Sequence, residues 1–353
     1  MAGWVRRPAS EAPISRHDRV LLFFESFLGN FLFSICMLFG VSMTTAVSAG
    51  VIMASIPAVV ALMSWVFLKE RIGLRTWAAV ACSALGISLL ALSKGELSTH
   101  NTQGSEANLA SNKAFLKSHA LPKPYHHISK AGGVMVEFKT PDDQMAKGFY
   151  IPADKPTEYT LLVFQEWWGL NDHIKREAEH FYSTLGNVNV LAIDMYDGKV
   201  ATTREDAAKY MGGANPARLE AIIRGAIAYV GPKAKIATVG WCFGGSLSLK
   251  ASILAGKQAA ACVMYYGMPV KEVDQLRLLN TDVLGLFAGK EQFINPAVVK
   301  EFEANMKTAG KGIQTKIFDA EHAFANPSNP NFDKAATEEA WGMAINYFKA
   351  RLK

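Results

Sequence analysis

The residues best suited to chemistry lie in one short run, Gly240-Trp241-Cys242-Phe243-Gly244-Gly245. An apolar β-type segment, 236–240, leads into it, and a helical pattern over 245–254 follows. A nucleophile held in a sharp strand-to-helix turn needs small neighbours, and Gly240 and Gly244 meet that need. The helix that follows aims its first amides at the sulfur, where they lower a thiol pKa and receive an oxyanion. A nucleophile in this setting needs an acid and then a histidine later in the chain, each after a further strand. After the strand-like segment 283–288 comes Gly289-Lys290-Glu291, and after 314–318 comes Asp319-Ala320-Glu321-His322. His322 would act as general base and then general acid, with Glu291 orienting its ring. Asp319 and Glu321 compete with Glu291 for the acid role. Cys262 reads as core, and Cys36 and Cys82 fall in apolar runs. His17, His100, His119, His126, His127, His173 and His180 have no comparable context.

The elements that must position these groups follow from hydrophobic periodicity. Strands are expected over 134–139, 159–165, 189–193, 236–240, 261–266, 283–288 and 314–318. Helices are expected over 172–185, 204–211, 215–230, 245–254, 296–309 and 334–352. Short apolar strands alternating with helices predict a mostly parallel sheet covered on both faces.

The first hundred residues differ. The chain has 353 residues, 50% apolar and only 19% charged, with a formal net charge of +6. That composition excludes disorder and collagen, and four Cys with no C-x-x-C pair exclude a disulfide-stapled miniprotein and suggest no metal site. Lys and Arg are scattered rather than clustered, so no nucleic-acid partner is expected. From Ser26 to Leu68 there is no charged residue. Since about 20 apolar residues cross a bilayer, spans are expected over 20–41, 46–68 and 77–92. Arg6, Arg7, Arg16 and Arg19 precede the first span, and Lys69, Arg71 and Arg75 lie between the second and third. The positive-inside rule then puts everything after residue 92 on the outer, periplasmic or extracellular, side of a multi-pass membrane protein. Glu25 lies near a span end. The expected organisation is a tail (1–19), a three-helix membrane segment (20–93), a linker and lead-in (94–129) and a catalytic domain (130–353).

Two resemblances sharpen this reading. The run 46–92, with S-A-G-V-I-M-A-S-I-P and then F-L-K-E-R-I-G-L-R, resembles the last helices of an EamA-type repeat of the drug/metabolite transporter superfamily. About half a repeat is present, so membrane anchoring is the expectation; the alternative is a transport-related membrane protein carrying the second half as a fused passenger. The chain from about 106 to 353 resembles the dienelactone hydrolase family of α/β-hydrolases. The resemblance rests on F-Q-E-W-W-G-L-N (164–171), D-M-Y-D-G-K (194–199), G-W-C-F-G-G (240–245), G-K-E-Q-F-I (289–294) and E-H-A-F (321–324). It implies an α/β-hydrolase fold behind the three spans, and hydrolysis of a small-molecule ester or lactone through an acyl-thioester on Cys242, without cofactor or metal. It also implies that Glu166 contacts the resting thiol and that the Trp167 and Phe243 amides form the oxyanion hole. The family's acid is usually Asp; here it is Glu291. An Arg that grips a substrate carboxylate in some members is replaced by Asn326, leaving Arg204 as a candidate anchor and Trp168 and Phe324 as aromatic pocket candidates.

Overall fold

The structure is a computed structural model that describes residues 16, 20, 27, 110–112, 115, 116 and 119–352. The chain divides into two units, Met1–Glu96 and Leu97–Lys353. Apart from Val20 and Phe27, the expected spans lie outside the described residues, as do Glu25, Cys36 and Cys82. Among the described residues no helix is long and apolar enough to cross a membrane.

In the second unit eight strands form one sheet in the order β1-β2-β4-β3-β5-β6-β7-β8. These are β1 (Val134–Lys139), β2 (Met145–Ile151), β3 (Tyr159–Phe164), β4 (Asn189–Ile193), β5 (Lys235–Trp241), β6 (Ala259–Tyr265), β7 (Val283–Ala288) and β8 (Ile313–Phe318). β1 and β2 run antiparallel to their neighbours, and the pairings from β4 through β8 are parallel. The central strands are buried almost throughout, whereas edge strand β1 exposes most of its residues. That contrast is why the inner strands read as continuous apolar runs. β2 has no counterpart in the sequence reading. Its M-A-K-G-F-Y-I string contains Gly148, which a strand disfavours. The sheet needs that gap, because a Cβ there would lie 2.7 Å from the Leu191 side chain.

The helices are α1 (Asp172–Leu185), α2 (Arg204–Gly212), α3 (Pro216–Val230), α4 (Phe243–Ala255), α5 (Val273–Leu276), α6 (Pro296–Thr308) and α7 (Lys334–Arg351). Asn171, Thr203, Asn215, Asn295 and Asp333 cap five of them with side-chain oxygens. Alternate residues of β6 serve two cores: Ala261, Val263 and Tyr265 face one, Cys262 and Met264 the other. The sheet is thus covered on both faces. α4 starts two residues earlier than its sequence pattern predicts, so Cys242 itself is the N-cap position. Of the two glycines that looked like turn residues, Gly240 lies in β5 and Gly244 inside the first turn of the helix.

Candidate active site

The strand β5 ends at Trp241 and delivers Cys242 with φ 56° and ψ −120°, a left-handed conformation a non-glycine residue adopts at a cost of order 1–3 kcal/mol. The surroundings enforce it. A Cβ at Gly244 would lie 2.4 Å from the carbonyl oxygens of Phe164 and Gln165, and one at Gly240 would lie 2.0 Å from the Gly244 oxygen. The Cys242 amide donates to the Tyr265 carbonyl at 3.0 Å, tying the turn to β6. The thiol is buried. Burial raises its pKa, the charge on Glu166 raises it further, and the His322 ring and the Phe243 N–H pull it down.

His322 stands on the loop after β8, and Glu291 on the loop after β7. The two loops are laced together: the Gly289 N–H donates to the Phe318 carbonyl at 2.7 Å and the Lys290 N–H to the Ala320 carbonyl at 3.0 Å. His322 Nδ1 lies 2.7 Å from Glu291 Oε2, and both residues are buried. Asp319 and Glu321 are exposed, so the carboxylate that reaches the ring is Glu291. His322 Nε2, also buried, makes no hydrogen bond. Burial opposes the imidazolium, but the Glu291 charge and Cys242 outweigh it and hold the His322 pKa well above the ordinary value. Glu291 thus favours a proton on the ring, and burial and Glu166 favour one on sulfur.

Glu166, just beyond β3, is buried, and burial lifts its pKa to about 7. Its Oε2 accepts a hydrogen bond from Asn326 Nδ2 at 2.7 Å. Asn326 therefore holds Glu166 in the place where the resemblance suggested a grip on substrate. A shallow cleft opens here, lined by Glu166, Ile174, Arg176, Trp241, Tyr266 and Asn326 among others. The proposed pocket residues lie elsewhere. Trp168 and Phe324 are buried core side chains, the first edge-on to Trp167 and the second against Tyr266 and Phe318. Arg204 donates from Nε to the His119 carbonyl at 2.5 Å, so the described structure commits it to the protein itself.

One residue at the site was passed over in the sequence. His119 is buried, with Nε2 3.7 Å from Cys242 Sγ and Nδ1 2.8 Å from the Phe115 carbonyl oxygen. Its ring lies 4.8 Å from that of His322 and 4.6 Å from the Trp167 indole. Burial, followed by the nearby His322, lowers its pKa to about 3, so the ring is neutral at physiological pH. Phe115 also belongs to the core and packs edge-on against Trp167 and Phe293. The stretch read as lead-in therefore supplies part of the floor around the thiol. No spacing rule links His119 to Cys242; the one hint was Phe115 four residues earlier, an apolar partner at helical spacing.

Known proteins resemble the two halves separately. The family model of the dienelactone hydrolase family matches residues 146–352, and that of the EamA-like transporter family matches 2–92. A protein of Aquifex aeolicus (strain VF5), provisionally named a carboxymethylenebutenolidase, is 29% identical over 234 residues, covering 63% of this chain and 100% of its own. The uncharacterized transporter YetK of Bacillus subtilis (strain 168) is 32% identical over 79 residues, 22% of this chain and 24% of its own. In fold, the chain is similar to a dienelactone hydrolase-like promiscuous phosphotriesterase from metagenomic libraries, with a TM-score of 0.55 at 20% identity over 63% of this chain and 99% of that one. With more than half its length matched, this chain belongs to the dienelactone hydrolase family, hydrolases of ester and lactone bonds.

Proposed function

We propose that the second unit hydrolyses a small carboxylic ester or lactone through an acyl-thioester on Cys242. The observation that carries this reading is the buried Glu291–His322 pair, 2.7 Å apart, with the ring's other nitrogen unbonded next to a thiol on a strained elbow. His322 Nε2 takes the thiol proton as sulfur attacks the carbonyl carbon. The carbonyl electron pair moves to oxygen, where the amides of Trp167 and Phe243 receive it. The tetrahedral intermediate collapses, the bond to the alcohol oxygen breaks, and His322 returns the proton to that oxygen. His322 then deprotonates a water that attacks the thioester, and the thiolate leaves. Glu291 holds the ring's orientation through both steps. Glu166, charged above about pH 7, keeps the resting thiol protonated and less open to oxidation.

The test is p-nitrophenyl ester hydrolysis by the full chain beside Cys242→Ala and Cys242→Ser, with intact-mass detection of the acyl-enzyme. Turnover lost in Cys242→Ala, together with an acyl adduct on the wild type, supports the mechanism. Turnover that survives Cys242→Ala removes it.

For the first unit the proposed role is a membrane anchor through spans at 20–41, 46–68 and 77–92, with the hydrolase on the outer side. The match to the EamA-like family over 2–92 supports membrane association, and the Lys/Arg distribution supports the orientation. That match also keeps the transport-related reading in play. Protease digestion of spheroplasts tests the orientation: digestion of the hydrolase unit agrees with it, and protection overturns it. The proposed organisation keeps the tail at 1–19, the membrane segment at 20–93 and the linker from 94, but counts 110–119 with the catalytic domain expected over 130–353.

A further inference from the structure

The thiol faces two imidazoles, and each ring is already arranged as a metal ligand would be. The donor atoms of His119, Cys242 and His322 all lie within 4.8 Å of one another, and all three residues are buried. His119 directs Nε2 at Cys242 Sγ while its Nδ1 is held by the Phe115 carbonyl. His322 Nδ1 is held by the Glu291 carboxylate, and its buried Nε2 makes no hydrogen bond. A carbonyl or carboxylate behind each ring is the arrangement that fixes tautomer and raises basicity in imidazole–zinc sites. Zinc binds thiolate at about 2.3 Å and imidazole at about 2.0–2.1 Å. A tetrahedral angle then separates sulfur and nitrogen by roughly 3.5 Å. The observed Sγ–Nε2 separation is 3.7 Å.

We propose that Cys242, His119 and His322 form a binding site for a thiophilic divalent cation of the zinc class. The two rings bind as neutral imidazoles, the thiol proton and any proton on His322 Nε2 pass to solvent, and the fourth position of the ion stays open to water. Charge permits this. The thiolate and the Glu291 carboxylate behind His322 supply the negative charge that a divalent cation needs. Nothing in the sequence spacing announces such a site, since 122 residues intervene between His119 and Cys242 and 79 more before His322. An ion held there occupies the proposed nucleophile and base, so it switches the esterase off and a chelator restores it. Only this consequence rests on the hydrolase reading; binding does not.

Cobalt(II), a spectroscopic stand-in for zinc, tests the site on the full chain without any turnover assay. The expected result is one ion per chain with near-ultraviolet thiolate-to-cobalt absorption, displaced by zinc. Cys242→Ala abolishes the absorption, and His119→Ala weakens binding by more than the roughly 10–100-fold that loss of an outer-shell partner costs. His126→Ala, at an exposed histidine, leaves it unchanged. Absence of the absorption in the wild type overturns the proposal, as does wild-type affinity in a folded His119→Ala chain. Should His119→Ala not fold, zinc protection of wild-type Cys242 from alkylation, mapped by peptide mass, decides instead: protection at Cys242 upholds the site, and unhindered alkylation at saturating zinc removes it. Failure of metal binding leaves the esterase reading intact, and loss of the esterase reading leaves the binding result standing.

Discussion

Two buried cysteines lie close together in the chain's fold, one within β6 and one just past the end of β5, and their surroundings could hardly differ more. Cys262 sits in the middle of β6, opposite Thr238 of β5, with Ser248 Oγ 3.8 Å from its sulfur and an apolar cluster around it. Cys242 sits one residue past the end of β5, on a strained turn, with two imidazoles near its sulfur. Burial raises the pKa of both thiols. Depth therefore does not separate Cys262 from the proposed nucleophile Cys242. The strand end does, because only there do three loops converge and bring His322, Glu291 and Glu166 to one place.

The comparison can be broken in several ways, beginning with its strongest claim. Cys242→Ala should lower ester turnover by roughly 10⁴-fold or more, as loss of a nucleophile does elsewhere, while the chain melts as before. A wild-type rate in that variant would make the two cysteines equivalent. Glu291→Gln leaves the ring without its charged partner, and kcat should fall by about 10²–10⁴-fold, the range for impaired acid–base catalysis. Asp319→Asn, at an exposed carboxylate, should not move kcat. Equal losses in the two would put the acid elsewhere.

Glu166 sharpens the contrast through pH. Its pKa is about 7 in the folded chain against an ordinary 4.5, so the folded state holds a proton that the unfolded state releases between those values. Stability from this group is complete below pH 4.5 and is lost as pH rises through 7. Glu166→Gln should therefore stabilise the chain at pH 8, by on the order of 3 kcal/mol at most, and change little at pH 4.5. The same variant should speed alkylation of Cys242 at pH 8 several-fold and leave Cys262 unaffected, since only Cys242 faces this charge. Thermal melts at the two pH values and peptide-resolved alkylation rates check both statements. The smallest effect belongs to the structural thiol. Cys262→Ala should cost about 1 kcal/mol from a small cavity and leave kcat within about twofold.

Much of this site was legible because its parts are local. The elbow is a strand, a nucleophile candidate among glycines and a helix in immediate succession, and those glycines are required because an added Cβ would fall as close as 2.0 Å to a backbone oxygen. Glu291 and His322 follow consecutive strands, so chain order alone nominated them. Asp319 and Glu321 stayed open as rivals because composition does not say which carboxylate turns inward. Asn326 was legible as a departure but not as the partner of Glu166, 160 residues away. Arg204, Trp168 and Phe324 had the right chemistry for a pocket; packing placed two of them in the core and the third on a backbone carbonyl.

By itself, then, the sequence determined the order of strands and helices apart from β2 and α5, and the turn that presents Cys242, because hydrophobic period and steric need at glycine act between near neighbours. The tertiary structure alone brought His119 to the sulfur. His119 reaches it from a polar stretch with no periodic signal, and its place depends on Phe115 burying its ring and on Arg204 meeting the His119 carbonyl. Contacts across such separations are selected by the shape and polarity of the assembled cavity, and neither is written in the spacing of residues along the chain.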